Sequence, residues 1–199
     1  MLTLNFPSFP TLQTERLILR AHTNADAKAL FALRSNEKVM HYINRENPKN
    51  LEETEARIKL MQDGFDNNTS IAWVIALKEK PNEMIGEIGY YRTDLANYRA
   101  EIGYMLHIDF WRKGLISEAL KKIITFGFQE MKLHSISANI NPANDASRQI
   151  LLKHGFAKEA YFKENYFFND DEYPNIRLRY GKSMHYFFLF QRRRDLCSG

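Results

Sequence analysis

A short basic turn near the middle of the chain has the residue types and spacing that bind an anion. Arg112, Lys113 and Gly114 lie between a strand-like segment, residues 101–107, and a helix-like segment, residues 116–131. The first amide groups of a helix have no intrahelical acceptor and lie at the positive end of its dipole. Since glycine also allows close approach to the backbone, the turn indicates a phosphate site.

The turn alone is not specific, because basic turns that contain glycine are common. It is not a Walker loop, which needs two glycines around a longer insert followed by Lys and Ser or Thr. Nor does it match the glycine fingerprint of dinucleotide-binding folds. The elements around it must therefore decide its meaning.

Those elements alternate between strand and helix patterns. Apolar residues at helical spacing predict helices that start near Asn24, at residue 50, at residue 116 and at Asn144, and Gly155 suits the end of the last one. Alternating and β-branched segments predict seven strands, and an acidic turn, residues 169–172, separates the last two. The seven strands are residues 15–20, 71–77, 84–92, 100–107, 135–140, 157–168 and 176–190.

Composition narrows the class of protein. The 199 residues, 44% of them hydrophobic, predict a single domain over residues 1–199, with a core over about 10–190 and a short basic tail. The single cysteine, Cys197, forms neither an internal disulfide nor a zinc cluster. A net charge of +4, with the only dense basic run at residues 192–194, argues against direct nucleic-acid binding.

No segment predicts a membrane or secretory destination. The N-terminal residues lack the pattern of a signal peptide. The longest aromatic run, residues 186–190, is far shorter than the roughly 20 residues that cross a bilayer. We therefore expect a cytoplasmic protein.

Several motifs in a fixed order together resemble the GNAT acetyltransferase superfamily, in particular its RimJ/RimL-type branch of ribosomal-protein N-terminal acetyltransferases. The resemblance covers about residues 10–190 and includes the opening segment, residues 12–20. The motifs are Glu101-Ile102-Gly103-Tyr104, Trp111-Arg112-Lys113-Gly114 with Glu118-Ala119, Asn144 with Ser147, and Gly155-Phe156.

The resemblance implies an α+β fold. Its central sheet would be mixed and mostly antiparallel, with about seven strands and helices on both faces. The fourth and fifth strands would splay apart beside a bulge. It also implies acetyl-CoA as the co-substrate, and a homodimer would be usual for the superfamily.

The resemblance assigns the acetyl-CoA site residue by residue. The exposed backbone of Tyr104, Met105 and Leu106 would pair with pantetheine, and Asn144 would contact pantetheine near the thioester. The residues that would hold the pyrophosphate are Arg112, Lys113, Gly114, Leu115, Ile116 and Ser117. Ile116 stands where the superfamily has Gly or Ala, and its bulk could crowd the phosphates and weaken binding.

Acetyl transfer to an amine needs a base for the amine and a donor for the oxyanion. We expect Glu101, acting through water, to be the base, with Glu87 on the preceding strand as the second candidate. The backbone amides near Tyr104 and Met105 could stabilise the oxyanion. The alternative for Glu101 is an ion pair with Arg92 or Arg99.

The leaving thiolate needs an acid, and Ser147 is the first candidate. Tyr161 and Tyr166 are the alternatives, whereas Ser147 could also be an ordinary residue of a helix first turn. Trp111 is interpreted as a packing anchor. The histidines have no metal-ligand spacing, so no metal is expected.

The resemblance favours a protein N-terminal α-amine as acceptor, such as that of a ribosomal protein. Two alternatives remain open at this point. One is a small-molecule amine, namely a polyamine, an amino acid or an aminoglycoside, and the acids at residues 170–172 could help to bind a polyamine. The other, which depends on Ile116, is a non-catalytic module that binds acyl-CoA.

Overall fold

The computed structural model describes residues 6–168 and 171–181, within which eight strands form one open sheet. Their order across the sheet is β1-β2-β3-β4-β5-β6-β8-β7. The strands are β1 (Leu12–Gln13), β2 (Leu17–Arg20), β3 (Ile71–Leu77), β4 (Gly86–Asp94), β5 (Arg99–Leu106), β6 (Ser135–Ile140), β7 (Ala157–Phe168) and β8 (Asp171–Gly181).

All neighbouring strands are antiparallel except β5 and β6, which are parallel. A parallel pair needs a crossover connection, and a helix, α4 (Leu115–Gln129), supplies it. The remaining helices are α1 (Ala27–Arg34), α2 (Glu37–Met40), α3 (Leu51–Asp66) and α5 (Asp145–Lys153). The predicted mixed, mostly antiparallel sheet is confirmed.

Helices cover both faces of the sheet, as predicted. Alternation along β3 places Trp73 in one buried cluster with Ile123 of α4, and Val74 in another with Ile58 of α3. Leu151 of α5 belongs to the α4 cluster. We call these two sides the α4 face and the α3 face.

Most predicted boundaries agree with the structure. Asn50 caps α3 by accepting from the Glu53 amide, Asn144 caps α5, and Gly155 follows α5 with a φ of 87°. The prediction of Asn24 as a cap is wrong, because Asn24 lies inside a 3-10 turn, Asn24–Asp26, that leads into α1; the cap of this turn is Thr23, whose amide donates to Asp26. The predicted strand 84–92 runs instead from Gly86 to Asp94.

Three further differences concern short or terminal segments. The two-residue strand β1 and the single-turn helix α2 were not predicted. The last strand begins at Asp171, so Asp171 and Glu172 belong to β8 rather than to a turn. Residues 182–190 of that predicted strand, the basic run 192–194 and Cys197 lie outside the described residues.

No helix within residues 6–168 and 171–181 combines the length and the apolar character that spanning a bilayer requires.

Candidate active site

The sheet opens between β5 and β6, as predicted. The two strands pair only from Arg99 to Glu101 on β5 and from Ser135 to Ser137 on β6. Beyond these three pairs β6 continues alongside β8, while β5 continues alongside β4. The second half of β5 therefore has a free backbone edge that faces the opening.

The register decides which backbone groups of β5 face that opening. The His107 amide donates to the Ile85 carbonyl, and hydrogen bonding alternates along an antiparallel pair. In the same register the Met105 amide is directed towards β4, whereas the Tyr104 and Leu106 amides are directed away from it. Of the two predicted oxyanion donors, only the Tyr104 amide faces the opening.

A bulge lies beside the opening, on the strand next to β5. Tyr90 pairs with Ile102 and Arg92 with Glu101, so Tyr91 is the extra residue on β4. An extra residue increases the local twist of a strand. The irregularity that the resemblance implied is thus on β4, and it coincides with the last residues at which β5 still pairs with β6.

The basic turn leads from β5 into α4 as the sequence predicts. Gly114 precedes the helix with a φ of 76°, in the left-handed region that glycine adopts without strain. Arg112 also has a positive φ, 59°. The amides of Leu115, Ile116 and Ser117 begin the helix and have no intrahelical acceptor, which leaves them free to bind a phosphate.

The side chains of this turn point to different places. Arg112 and Lys113 are exposed, whereas Leu115 and Ile116 are buried in the core of the α4 face. The expected crowding of the phosphates by Ile116 is therefore wrong, because its side chain is packed inside the protein. The Ser117 hydroxyl lies 2.7 Å from His154 Nε2, which links the start of α4 to the end of α5.

Two side chains, those of Arg16 and Trp111, hold the turn in place. Arg16 donates from Nη1 to the Lys113 carbonyl at 3.0 Å and from Nε to Glu118 Oε2 at 2.7 Å. Trp111 Nε1 donates to the Leu106 carbonyl at 2.7 Å, although its side chain is 43% exposed. Trp111 therefore fixes the turn to the end of β5 by a hydrogen bond rather than by burial.

Glu118, in the first turn of α4, forms an ion pair with Arg16. Partial burial raises the pKa of its carboxyl, but hydrogen bonds from Thr14 and Arg16, with the Arg16 charge, lower that pKa on balance. The segment between β1 and β2, which contains Thr14 and Arg16, thus satisfies the carboxylate. Glu118, one of the motif residues, therefore has a structural role.

A cleft of about 220 Å³ extends from the opening towards the α3 face. Six of the predicted site residues line it. They are Glu87, Glu101, Tyr104, Met105, Asn144 and Ser147. The residues of the basic turn and Leu106 lie outside its lining, so the structure brings the predicted reaction groups together in one cleft that does not include the basic turn.

Glu101 is held by two neighbours. Arg92 Nη1 lies 3.1 Å from both carboxylate oxygens, and Asn139 Nδ2 donates to Oε2 at 2.6 Å. The anticipated ion pair with Arg92 is present, whereas Arg99 pairs with Asp94 instead. About a quarter of the Glu101 side chain is exposed, which leaves it accessible from the cleft.

Glu87 is buried among cations. Its carboxylate lies 3.3 Å from Arg57 Nη2 and 3.5 Å from His22 Nε2. Burial by itself raises the pKa, but His22, Arg57 and Arg34 outweigh it and lower the pKa of Glu87 to about 2. A carboxylate with so low a pKa is a weak base near neutral pH.

Two hydroxyl groups lie on the opposite side of the cleft. Ser147 is half-buried in the first turn of α5, and the Tyr104 hydroxyl is buried without a hydrogen-bond partner in the described part of the chain. Burial raises the pKa of Tyr104 to about 12, an effect that the Ser147 side chain partly offsets. The phenol therefore keeps its proton, and no sequence pattern singled out this hydroxyl group.

The predicted alternatives to Ser147 differ in position. Tyr161 on β7 is 55% exposed, lies beneath Lys158 and does not line the cleft. The side chain of Tyr166 lies outside the described residues. Asn144 does line the cleft, but its Oδ1 accepts from the Ser147 amide at 3.1 Å, so its Nδ2 is the group left to donate to a bound molecule.

Several cleft residues were missed by the sequence-based reasoning. They are Arg34 and Arg57 on α1 and α3, Arg45 in the loop between α2 and α3, Tyr91 at the bulge, and Asn139 beside Glu101. These residues are far apart in the sequence and no local motif connects them. Only the packing of α1 and α3 against the sheet brings them together.

Within the described ranges, no three His, Cys, Asp or Glu side chains form a group that could hold a metal ion.

A family model described as an acetyltransferase (GNAT) domain matches residues 16–157. The chain is 36% identical over 165 residues to the uncharacterized N-acetyltransferase YoaA of Bacillus subtilis, covering 83% of this chain and 93% of that protein. It is 34% identical over 99 residues to the ribosomal-protein-serine acetyltransferase of Escherichia coli, covering 50% and 55% of the two chains. The crystal structure of Mycobacterium smegmatis RimJ with a CoA disulfide has a TM-score of 0.78 at 18% identity, over 87% of both chains.

Proposed function

The chain belongs to the GNAT acetyltransferase family and is an acetyl-CoA-dependent N-acetyltransferase; from that premise we propose that its acceptor is the N-terminal α-amine of a protein. The similarity to the ribosomal-protein-serine acetyltransferase of E. coli is the observation that carries the proposal. The match covers about half of that relative, so the acceptor has to be tested directly.

The residues around the opening fit acetyl-CoA, which supplies an acetyl group as a reactive thioester. The Tyr104 backbone and the Leu106 amide, which face the opening, suit an extended amide-containing arm. The left-handed Gly114, the first amides of α4, and the exposed Arg112 and Lys113 suit a pyrophosphate. The Asn144 Nδ2 group suits a carbonyl near the reactive end.

We assign proton removal to Glu101, acting through water. The low pKa of Glu87 disfavours that carboxylate, whereas Glu101 is accessible from the cleft and is oriented by Arg92 and Asn139. A protein α-amine has a pKa near 7.7–8.0, against about 10.4 for a lysine, so a modest base suffices for it. This difference supports an α-amine as the acceptor.

The Tyr104 amide is placed to donate to the oxygen on which negative charge develops, and Ser147 is the first candidate to protonate the leaving thiolate. The Tyr104 hydroxyl is the second candidate, because it is buried, protonated and without a partner in the described residues. The single variants Ser147→Ala and Tyr104→Phe separate the two candidates. Replacing the residue that acts as the acid should lower kcat and leave KM nearly unchanged.

The cationic side chains in the cleft disfavour polyamines and aminoglycosides, since like charges repel. A free amino acid remains a useful comparison, because it carries both an amine and a carboxylate. Ile116 no longer supports a purely binding role, because its side chain is packed in the core.

A thiol-release assay with acetyl-CoA tests the proposal on peptides that begin with Ser or Ala, beside spermidine and free amino acids. We expect turnover on peptides and a fall of about 10²-fold or more in Glu101→Gln, the usual range for a positioned base. Glu83→Gln, an exposed acid paired with Lys80, is the matched control. Turnover on small amines alone would reject the protein acceptor.

A further inference from the structure

On the α3 face, the wall of the cleft has more positively charged than negatively charged side chains. Four arginines line the cleft, Arg34, Arg45, Arg57 and Arg92, whereas Glu87 and Glu101 are its only acidic lining residues among those described. Glu101 is paired with Arg92, and Glu87 with Arg57. Two positive charges, those of Arg34 and Arg45, therefore lack an acidic partner in the cleft.

Arg34 is the most unusual of these residues. It is 4% exposed, and its Nη2 donates to the Glu46 carbonyl at 3.3 Å, but its Nη1 has no hydrogen-bond partner within the described residues. Burial and the charge of Arg57 together lower the pKa of Arg34 to about 10, against the opposing effect of Glu87. A buried guanidinium without a full set of acceptors is costly, because its solvation is lost without replacement.

Unpartnered groups cluster around the same wall. Arg57 Nε, Glu87 Oε2 and the Tyr91 hydroxyl are also buried without hydrogen-bond partners in the described part of the chain. Arg45 is exposed at the mouth of the cleft, so a molecule can reach this wall from solvent. The wall therefore presents three guanidinium groups to an anion. That of Arg34 is buried, that of Arg57 is only partly hydrogen-bonded, and that of Arg45 is exposed to solvent.

We propose that the acceptor carries an anionic group, a carboxylate or a phosphate, which binds to Arg34, Arg45 and Arg57 while its amine lies beside Tyr104. Guanidinium groups bind both kinds of anion through paired, charge-assisted hydrogen bonds. For a peptide acceptor this means an acidic or phosphorylated residue directly after the N-terminal one. The inference rests on the proposed function and specifies its substrate class.

The experiment compares amidated peptides that differ only at their second residue, which is Asp, phosphoserine, Asn or Lys. For each peptide kcat/KM is measured with the full chain and saturating acetyl-CoA. We expect the Asp peptide to exceed its neutral isostere, the Asn peptide, by about tenfold or more, the scale of a hydrogen bond to a charged group, with the Lys peptide poorest. The Asp and phosphoserine peptides show which anion binds better.

Three variants connect the preference to the arginines. Arg57→Gln and Arg45→Gln should bring the Asp-to-Asn ratio towards one, mainly through KM, whereas Arg57→Lys keeps the charge and should keep most of the ratio. Arg99→Gln, an exposed arginine paired with Asp94 outside the cleft, is the control. Because Arg45 is exposed, its variant tests the inference even where a buried arginine cannot be replaced without loss of folding.

The outcomes separate this inference from the proposed function. Equal use of the Asp and Asn peptides would reject the anionic group while leaving the peptide acceptor intact. Turnover on free aspartate with none on any peptide would reject the peptide acceptor and retain the anionic group. A ratio that is unchanged in Arg57→Gln and in Arg45→Gln would show that this wall does not bind the acceptor.

Discussion

Tyr90 and Tyr91 are adjacent in the sequence, yet their hydroxyl groups lie in two contrasting regions of the protein. Tyr90 is fully buried on the α4 face and donates to the Ile123 carbonyl at 2.9 Å. The Tyr91 hydroxyl is buried in the cleft without a hydrogen-bond partner among the described residues. On the α4 face folding satisfies the polar group, whereas in the cleft the described residues do not.

The same contrast holds beyond these two tyrosines. The α4 face contains Trp73, whose indole donates to the Pro10 carbonyl at 2.7 Å, inside a continuous apolar cluster. Among the described residues, buried side-chain atoms of Arg34, Arg57 and Tyr104 in the cleft have no hydrogen-bond partner. A buried polar group without a hydrogen bond costs about 1–3 kcal/mol, whereas the apolar cluster of the α4 face stabilises the fold by burial.

The largest expected effect is on the stability of the protein in acid, and it comes from Glu87 in the cleft. Because the pKa of Glu87 in the folded protein is about 2, against 4.5 ordinarily, its charge stabilises the fold above pH 4.5. That stabilisation, roughly 3 kcal/mol at most, is lost as pH falls from about 5 to 2. Urea denaturation across this range should show a shallower pH dependence in Glu87→Gln than in the wild type.

The exposed Glu83→Gln variant serves as the control for that measurement, and it should keep the wild-type slope. Identical slopes in Glu87→Gln and wild type would mean that the cations around Glu87 do not stabilise its charge. The difference between variants isolates Glu87 from Asp26, whose pKa is also lowered and which pairs with Arg20.

A second prediction uses one glycine from each region. A Cβ at Gly127 on α4 would lie 2.4 Å from the Tyr90 hydroxyl oxygen, while one at Gly103 on β5 would lie 3.2 Å from the ring of Tyr91. Tyr90 is fully buried and hydrogen-bonded, whereas the Tyr91 ring borders the cleft and has room to shift. We expect Gly127→Ala to lower the free energy of unfolding by about 1–3 kcal/mol and Gly103→Ala to lower it by less.

Chemical denaturation of the two variants in parallel measures this difference directly. The better helix propensity of alanine, worth up to about 1 kcal/mol, acts against the expected loss at Gly127. A Gly127→Ala protein as stable as Gly103→Ala would therefore contradict the rigidity assigned to the α4 face.

The smallest effect comes from removing the two hydroxyls themselves. Tyr90→Phe deletes a satisfied hydrogen bond and should cost about 1 kcal/mol of unfolding free energy, whereas Tyr91→Phe deletes an unsatisfied group and should cost nothing or stabilise the protein. Thermal melts of both variants check the sign. A larger loss of stability in Tyr91→Phe would show that its hydroxyl has a partner in solution.

The sequence was most informative where local pattern and tertiary environment agree. The strand over residues 71–77 and the strand over residues 135–140 have the predicted bounds, because the first is a run of buried apolar residues and the second alternates polar and apolar residues. The four-residue helix α2 was missed although a local signal existed, since Asn36 Oδ1 accepts from the Lys38 and Val39 amides. Whether the Ile116 side chain points into the core depends on how α4 is rotated about its axis relative to the sheet. A sequence motif does not specify that rotation.

The candidate site was predictable only in part for a related reason. Motifs of contiguous residues pointed to Glu101, Asn144 and Ser147, and the structure places all three in one cleft, where their roles remain predictions. The partners of Glu101 are 9 and 38 positions away, and they reach it through a bulge and a short parallel pairing. Such a register is a property of the assembled sheet.

The positions of the two tryptophans give the protein a built-in optical probe. Trp73 is fully buried, so its fluorescence should be shifted to the blue and insensitive to what binds at the surface. Trp111 is half exposed on the turn between β5 and α4, beside the amides that would hold a pyrophosphate. Titration with CoA should therefore change the emission and acrylamide quenching of one indole while the other serves as an internal reference.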